Sequence, residues 1–314
     1  MQSDDAGYRP EGPLDPVAAQ VAEAFSAMPL DAYPIEQTRA GMQAACVPSR
    51  EPAMESVEDH RVPVTGGDIG VRVYRAGAAP SALIVWAHGG GFALGSIEEL
   101  DNFCRLLAAK TGCAVASVEY RLAPEHRFPV AVEDVEAAAL WACERRAGLV
   151  GAEVPVWLGG DSAGGNLATV VTRRLHETGA ARIAGNVLVY PCTDSPDAES
   201  LRRFDPPFMA KENVAWFIDM YLPGPEARVH PDFAPIRAAD LSGLPPTLVV
   251  TAEHDILTEQ GEAYAARLWD AGVEVEVIRV PGMIHGFLTL DPFLPGAAGE
   301  TIDRIGAFIG RHAS

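Results

Sequence analysis

Short apolar runs alternate with longer helical patterns along most of this chain. The runs cover residues 82–87, 114–120, 154–160, 184–190, 246–253 and 273–280. Strands that are apolar on both faces need cover on both faces, which is typical of a mostly parallel sheet packed between helices. The alternation therefore predicts an α/β protein built on such a sheet.

The N-terminal part of the chain has a different pattern. An amphipathic helix is predicted there, because Asp15-Pro16 supplies an N-cap followed by a first-turn proline. Its apolar face comprises Val17, Val21, Phe25 and Met28 at helical spacing. From Asp59 onward the residues alternate around Gly66-Gly67, which indicates a β-hairpin. We therefore place a boundary near residue 55.

The chain carries a large excess of acidic residues. It has 43 Asp and Glu against 24 Lys and Arg in 314 residues, a formal net charge of −19. An acidic surface repels phosphate backbones and anionic lipid head groups. We therefore expect neither nucleic acid nor a membrane surface as a stable partner.

Cysteine usage and the N-terminus bear on the compartment. The cysteines are Cys46, Cys104, Cys113, Cys143 and Cys192, an odd number with no Cys-x-x-Cys pair. This usage indicates neither a disulfide framework nor a zinc site. No stretch reaches the roughly 18 apolar residues of a membrane span, and Met1–Asp5 lacks the basic and apolar regions of a signal peptide. The sequence predicts a cytoplasmic protein without a metal.

A serine lies between two glycines where one apolar run meets a helical pattern. The stretch reads Gly160-Asp161-Ser162-Ala163-Gly164. It fits the nucleophile elbow Gly-x-Ser-x-Gly, in which a strained turn pushes the serine side chain outward and leaves no room for side chains at the glycine positions. Ser162 is therefore a candidate nucleophile.

Three consecutive glycines follow the apolar run 82–87, as His88-Gly89-Gly90-Gly91. Glycines let a backbone approach a substrate with its N–H groups turned inward, and an acyl-transfer intermediate needs such donors for its oxyanion. The N–H of Ala163, at the start of a helix, supplies another donor. The two motifs in this order predict an oxyanion hole beside Ser162 and a serine hydrolase.

Histidines and carboxylates downstream of Ser162 are candidates for the rest of a catalytic triad. The histidines with an acidic residue between them and Ser162 are His230, His254, His285 and His312. His285 is the candidate base, because it follows the run 273–280 and lies between Gly282 and Gly286. Asp255, just after the run 246–253, is the candidate acid, and Glu253 is the alternative.

These motifs resemble those of one known family. Beside HGGGF and GDSAGG, the chain carries YRLAPEHRFP (residues 120–129), YPCTD (190–194), HDIL (254–257) and HGF (285–287). Over nearly its whole length it is similar to the hormone-sensitive-lipase-like, or bacterial family IV, carboxylesterases of the GDSAG type. The resemblance implies the α/β-hydrolase fold, with a mostly parallel eight-stranded sheet, flanking helices and a helical cap.

Residue by residue, the resemblance implies Ser162 as nucleophile, Asp255 as acid and His285 as base. It implies an oxyanion hole formed by Gly89, Gly90, Gly91 and Ala163, in which Gly89 has a mainly conformational part. It further implies that three residues of YRLAPEHRFP, namely Tyr120, Arg121 and Glu125, are scaffolding. One departure from the family is Ile256, where a proline is usual.

A long aromatic segment after the run 184–190 contains a helix pattern from Glu212 to Leu222. Because it follows the carboxyl end of a strand, it can cover the crevice in which α/β sheets bind ligands. Together with the resemblance, this predicts a cap of residues 1–55 and 196–230 on a core of residues 56–195 and 231–314. The residues expected to contact substrate are Phe92, Phe208, Met209, Trp216, Phe217, Tyr221 and Phe287.

The sequence as a whole predicts a serine carboxylesterase that hydrolyses short- to medium-chain esters through an acyl-enzyme, without a metal or organic cofactor. A lactonase, amidase or deacetylase would use the same triad. A non-catalytic binding protein of this superfamily is the third alternative, although His285 is present here. The expected partner is a small-molecule ester. The resemblance also favours a homodimer, through the edge strand 273–280 or the final helix.

Overall fold

The computed structural model describes residues 8–26, 32–46, 50–290, 293–294 and 296–312. Met28, at the end of the predicted apolar helix face, and Met1–Asp5 lie outside these ranges. No helix in the described part of the chain is long and apolar enough to cross a membrane.

Within these residues, eight strands form one sheet. They are β1 (Ser56–Val64), β2 (Gly67–Arg75), β3 (Leu83–Ala87), β4 (Ala114–Glu119), β5 (Val156–Asp161), β6 (Asn186–Val189), β7 (Thr247–His254) and β8 (Val275–Ile284). Their order is β1-β2-β4-β3-β5-β6-β7-β8. Strand β2 is antiparallel to both neighbours and the other pairs are parallel. The predicted hairpin and the mostly parallel sheet are confirmed.

Helices precede, connect and follow these strands. They are α1 (Pro16–Ser26), α2 (Ile35–Ala45), α3 (Asp101–Thr111), α4 (Val130–Val150), α5 (Ala163–Thr178), α6 (Ser200–Arg203), α7 (Lys211–Tyr221), α8 (Thr258–Asp270) and α9 (Ala297–His312). Gly179 ends α5 in the left-handed conformation that glycine adopts at helix ends. The helix predicted from Glu212 to Leu222 is α7, displaced by one residue.

The sheet buries apolar side chains on both faces. On β3, Leu83 and Val85 belong to the cluster on one face, and Ile84 and Trp86 belong to the cluster on the other. Successive side chains of a strand point to opposite faces of the sheet. When both faces are covered, all of these side chains are buried, and apolar residues are favoured at every position. This explains why β3 reads as a continuous apolar run.

Helix α1 packs against β8 with a face that only partly matches the predicted one, because Val21 packs against the core but Val17 does not. Asp15 caps the helix as expected, because its Oδ1 accepts the N–H groups of Val17 and Ala18 at 2.8 and 3.1 Å. Ala18 and Ala22 are 0% and 2% exposed, however, whereas Val17 is 44% exposed. Small alanine side chains allow close approach to the sheet, and the buried stripe is therefore rotated from the predicted apolar face.

The carboxyl ends of the parallel strands bring the candidate catalytic residues to one edge of the sheet. His88 follows β3, Ser162 follows β5 through its final Asp161, Asp255 follows β7, and His285 follows β8. Strand β8 runs to Ile284, past its predicted end, through an irregularity in its pairing with β7. We call this part of the molecule the catalytic edge.

Candidate active site

Ser162 lies on a sharp turn between β5 and α5. Its backbone has φ 56° and ψ −117°, outside the regions that most residues occupy. Packing requires the two flanking glycines, because a Cβ on Gly164 would overlap the carbonyl oxygen of Ala87 and one on Gly160 would overlap the backbone of Gly164. The turn therefore has the geometry that the motif predicts.

Ser162, His285 and Asp255 form a hydrogen-bonded chain. His285 Nε2 lies 2.9 Å from Ser162 Oγ, and His285 Nδ1 lies 2.7 Å from Asp255 Oδ2. The other carboxylate oxygen, Asp255 Oδ1, accepts the N–H of Leu257 at 2.9 Å. The side chain of Asp255 is fully buried and that of His285 is 7% exposed. In this arrangement the imidazole can take the hydroxyl proton at Nε2 while its Nδ1–H donates to the carboxylate.

The glycine loop after β3 faces Ser162 with two of its three glycines. Gly90 and Gly91 line the same cavity as Ser162 and Ala163, and they have positive φ values of 105° and 59°. Gly89 instead donates its N–H to Asp161 Oδ1 at 3.1 Å. Gly89 is thus held as a structural member of the loop, and Gly90, Gly91 and Ala163 are the candidate donors to an oxyanion.

Aromatic stacking and hydrogen bonds hold this loop in place. Tyr120 donates its hydroxyl proton to the carbonyl oxygen of His88 at 2.8 Å, and its ring stacks on the His88 imidazole at 4.2 Å. Burial lowers the pKa of His88 to about 4, so that the ring is neutral near pH 7. Arg39 of α2 donates to the carbonyl oxygen of Ala93 at 2.8 Å. The N-terminal segment therefore supports the loop directly.

The other charged residues of YRLAPEHRFP make ion pairs away from Ser162. Arg121 pairs with the buried Asp134 at 2.6 Å, and Glu125 pairs with Arg39 at 2.8 Å. Neither side chain lines the cavity. Their contacts are those of scaffold residues.

Asp161, the acidic residue before Ser162, is buried beside the oxyanion loop. It is 5% exposed, and its Oδ1 accepts the Trp86 Nε1–H at 3.2 Å as well as the Gly89 N–H. Burial raises the pKa of Asp161 to about 6, and these hydrogen bonds offset only part of that effect. The Asp161 carboxyl group thus orients the N–H of Gly89, and its burial costs desolvation free energy.

Glu253, the alternative acid, is engaged elsewhere. Its carboxylate accepts the backbone N–H groups of Glu11, Gly12 and Gly282 at 2.8, 2.8 and 2.7 Å. Burial opposes its ionisation, but the bonds from Gly282, Gly12 and Glu11 lower the pKa of Glu253 on balance. The structure therefore places Asp255 against His285, and it places Glu253 in a backbone anchor.

A cavity of about 430 Å³ opens onto Ser162. Four of the residues predicted to contact substrate line it: Phe92, Phe208, Met209 and Phe217. Within the described ranges, the ionisable side chains of the lining are His285, Asp161 and Cys192, and no group of three or more His, Cys, Asp or Glu is arranged to hold a metal ion. The mainly apolar walls suit the hydrocarbon part of a small molecule.

Trp216, Tyr221 and Phe287 do not line this cavity, which corrects the prediction that they contact substrate. Tyr221 is fully buried, and its ring stacks on that of Phe92 at 3.9 Å. Phe287 is buried in the core, where it packs against Tyr190 at 5.6 Å. Trp216 lies on another side of α7 from the cavity-lining Phe217. The sequence pattern of the aromatic segment did not indicate which of its side chains face the cavity.

Two cavity residues come from the N-terminal segment, and the sequence did not identify them as such. They are Phe25 of α1 and Met42 of α2. Phe25 packs edge-on against Phe208, with ring centroids 5.6 Å apart. The apolar helix pattern included Phe25, but a local pattern gives no indication of which distant segment a side chain will meet.

Residues 84–289 match a family model described as an alpha/beta hydrolase fold. The chain is 38% identical over 286 residues to the carboxylic ester hydrolase LipN of Mycobacterium tuberculosis, covering 87% of this chain and 75% of LipN. It is 35% identical over 241 residues to an ethyl acetate hydrolase of Pseudomonas putida, covering 74% of this chain and 75% of that protein. An esterase structure from Pyrobaculum calidifontis, 37% identical, matches with a TM-score of 0.86 over 96% of this chain and 100% of that one.

Proposed function

The chain belongs to the hormone-sensitive-lipase-like carboxylesterases of the α/β-hydrolase fold, and we propose that Ser162, His285 and Asp255 are its nucleophile, base and acid. It is a carboxylic ester hydrolase. The proposal for the residues depends on the unbroken hydrogen-bonded chain, 2.9 Å from Ser162 Oγ to His285 Nε2 and 2.7 Å from His285 Nδ1 to Asp255.

Acylation begins when Ser162 Oγ attacks the ester carbonyl carbon and His285 Nε2 takes the hydroxyl proton. The carbonyl oxygen becomes an oxyanion, which the N–H groups of Gly90, Gly91 and Ala163 stabilise. Each such donor contributes about 2.7–4 kcal/mol to the transition state. When the intermediate collapses, the C–O bond to the alcohol breaks, the alcohol takes the proton from His285, and the acyl group stays on Ser162.

Deacylation repeats these steps with water as the nucleophile. His285 takes a proton from the water as it attacks the acyl carbon, and the same donors hold the second oxyanion. The acid leaves when the bond to Ser162 Oγ breaks, and His285 returns the proton to that oxygen. Asp255 keeps its charge throughout and stabilises the imidazolium in both halves of the reaction.

The direct test is turnover of p-nitrophenyl butyrate by Ser162→Ala. We expect kcat to fall by about 10⁴-fold or more. Ser242→Ala, at an exposed serine far along the chain, is the matched control and should keep wild-type turnover. Circular dichroism should show both variants folded. Wild-type turnover by a folded Ser162→Ala protein would refute the assignment.

We propose esters of short to medium acyl length as substrates. The support is the cavity of about 430 Å³, whose walls include the rings of Phe25, Phe208 and Phe217. Such walls favour apolar groups, and a cavity of this volume limits the length of the acyl chain that it can enclose. With p-nitrophenyl esters from acetate to palmitate, the rate should peak at short chains. Efficient hydrolysis of long-chain triglyceride emulsions would contradict this proposal.

We propose that residues 1–55 and 196–230 act together as a cap on the core of residues 56–195 and 231–314. Both cap segments supply walls of one cavity, and the Phe25 and Phe208 rings join them. Phe25→Ala and Phe208→Ala should therefore raise KM for the same esters, with non-additive effects in the double variant. Strict additivity would argue against a joint cap.

We propose a homodimer formed through the edge of the sheet. Strand β8 is an edge strand, and nearby Val277 and Trp269 are 45% and 67% exposed. An exposed edge with apolar side chains is a surface that a second copy can cover. Light scattering should give the dimer mass, and a monomer mass in both dilute and concentrated samples would exclude it.

We propose a cytoplasmic location for the ester hydrolase. The support is that all five cysteines are free thiols, a state that a reducing compartment maintains. Cell fractionation followed by immunodetection should place the protein with cytoplasmic markers. Recovery from the culture medium would contradict this location.

A further inference from the structure

Glu253 connects three parts of the chain at the catalytic edge. It is the penultimate residue of β7, two positions before Asp255, and it is 4% exposed. Its Oε1 accepts the N–H groups of Glu11 and Gly12, and its Oε2 accepts the N–H of Gly282. This buried carboxylate accepts three backbone N–H groups, whereas His254 Nε2 lies 4.0 Å from Oε2, beyond hydrogen-bond distance, so its hydrogen bonds hold the backbone around it.

The bond to Gly282 lies at a bulge between β7 and β8. Ala252 pairs with Val280, and the next pair is His254 with Ile284, so β8 has two extra residues over this step. A bulge takes backbone groups out of the ladder and redirects the strand. Gly282, with φ 68°, donates its N–H to the side-chain carboxylate of Glu253 on β7. His285 follows three residues later.

The N-terminal strap, defined as residues 8–15, closes the arrangement. Tyr8 donates its hydroxyl proton to the carbonyl oxygen of Glu253 at 2.6 Å, and the Asp15 N–H donates to the carbonyl oxygen of Gly282 at 3.0 Å. The Tyr8 ring also packs edge-on against Phe204 of the cap, at 5.9 Å. Both of these hydrogen bonds end on backbone carbonyl oxygens, so they do not involve the Glu253 carboxylate.

We propose that Glu253 is a positioning residue: its carboxylate sets the path of the bulge in β8 and thereby aligns His285 with Ser162 and Asp255. This inference rests on the proposed role of His285 as base. The carboxylate accepts hydrogen bonds at both oxygens, whereas a glutamine has one oxygen and one donating amide. In Glu253→Gln, one end of the side chain therefore faces a backbone N–H without accepting it, and the bulge shifts.

The test compares Glu253→Gln with Tyr8→Phe, which removes only the strap's bond to the Glu253 carbonyl. For p-nitrophenyl butyrate, Glu253→Gln should lower kcat about 10- to 100-fold with little change in KM, because a displaced base affects the chemical step more than the cavity. The low-field proton NMR signal of the His285–Asp255 hydrogen bond should weaken in Glu253→Gln. Tyr8→Phe should keep kcat and the NMR signal.

Glu253→Asp covers the case in which Glu253→Gln does not fold. It keeps the charge but shortens the side chain, and it should give an intermediate loss of kcat at an unchanged KM. Wild-type kcat and NMR signal in a folded Glu253→Gln, or equal losses in Glu253→Gln and Tyr8→Phe, would overturn the inference. His285→Ala distinguishes failure of the proposed function from failure of the positioning role. If His285→Ala stays active, His285 is not the base and the proposed function fails. If His285→Ala is inactive but Glu253→Gln is unaffected, only the positioning role of Glu253 is overturned.

Discussion

The catalytic edge of the sheet and the wall of the cavity above it are built in different ways. At the edge, Ser162, Asp255 and His285 each lie just past the end of a strand, and the parallel pairing of the strands brings Ser162 and His285 together across 123 positions. The cavity wall instead combines side chains from separate helices and loops, such as Phe25 and Phe208. Backbone geometry determines the first region, and side-chain packing determines the second.

The two regions also differ in how their conformation is held and in what a substitution should change. The edge contains strained backbone at Ser162 and Phe92, with φ of 56° and 63°, and a buried acid at Asp161. Such features persist only where the surrounding structure holds them, which is typical of functional sites. The wall is held by ring contacts such as Phe25 on Phe208, at 5.6 Å. Substitutions at the edge should therefore affect catalysis, and those in the wall should affect selectivity.

The largest effect should come from Asp255→Asn. The variant keeps the shape of the acid but stabilises the wrong imidazole tautomer, and we expect kcat to fall by about 10⁴-fold with little change in KM. Steady-state kinetics with p-nitrophenyl butyrate measures this. Asp240→Asn, at an exposed aspartate, is the matched control and should behave as wild type. A rise in KM with an unchanged kcat would mean that Asp255 does not act on the His285 imidazole in the chemical step.

Gly91→Ala tests the point where the edge meets the wall. A Cβ at Gly91 would overlap the ring of Phe217 on α7, and its φ of 59° disfavours a side chain. The displaced loop should lower kcat about 10²-fold or more through loss of an oxyanion donor. Gly77→Ala is the control, because a Cβ there meets no atom within 4 Å.

The double variant Gly91→Ala/Phe217→Ala then identifies the cause. If the clash with the cap displaces the loop, truncation of the ring should restore part of the lost kcat. If the double variant is no faster than Gly91→Ala, backbone strain in the loop is responsible and the two regions are not coupled at this contact.

The catalytic edge was predictable from sequence because its requirements are local. The Gly160 to Gly164 stretch needs small residues for steric reasons that hold in any chain with this turn. The strands could be located because burial on both faces makes them continuously apolar. The fold class followed from the same pattern, since strands separated by helices pair in parallel.

The cavity wall was less predictable because its contacts are not local. Tyr221 and Phe217 lie four residues apart on one helix, yet Tyr221 stacks inside the core on Phe92 and Phe217 lines the cavity. Val17 is exposed although the helical pattern predicted it to be buried, because the small Ala18 and Ala22 fit against β8. Such outcomes depend on the shape of the opposing surface, which no periodicity contains.

Asp161→Asn should show how much the burial of the Asp161 carboxylate lowers the free energy of unfolding. The folded-state pKa of Asp161, about 6, lies above its ordinary 3.8, so the folded protein binds this proton more tightly than the unfolded chain. Stability from this group is therefore present below about pH 4 and is lost as the pH rises to about 6, by up to about 3 kcal/mol. The asparagine substitution removes that loss and keeps an oxygen for Gly89.

Denaturant unfolding from about pH 4 to about pH 8 measures this difference. The gap in free energy of unfolding between Asp161→Asn and wild type should grow in favour of the variant up to about pH 6 and then level off. Asp270→Asn, at an exposed aspartate, is the matched control for the loss of one carboxyl group. A gap that is constant with pH would mean that Asp161 is not held against its ionisation.

The smallest effect should come from the wall. Phe208→Ala removes one ring from the cavity lining, and we expect KM for p-nitrophenyl butyrate to rise about tenfold while longer acyl chains gain relative to shorter ones, because the pocket widens. Trp216→Ala is the matched control, an aromatic residue of the same cap segment that does not line the cavity. It should change neither KM nor chain-length preference. A larger kcat loss in Phe208→Ala than in Gly91→Ala would erase the distinction between edge and wall, because the wall would then be part of the catalytic geometry.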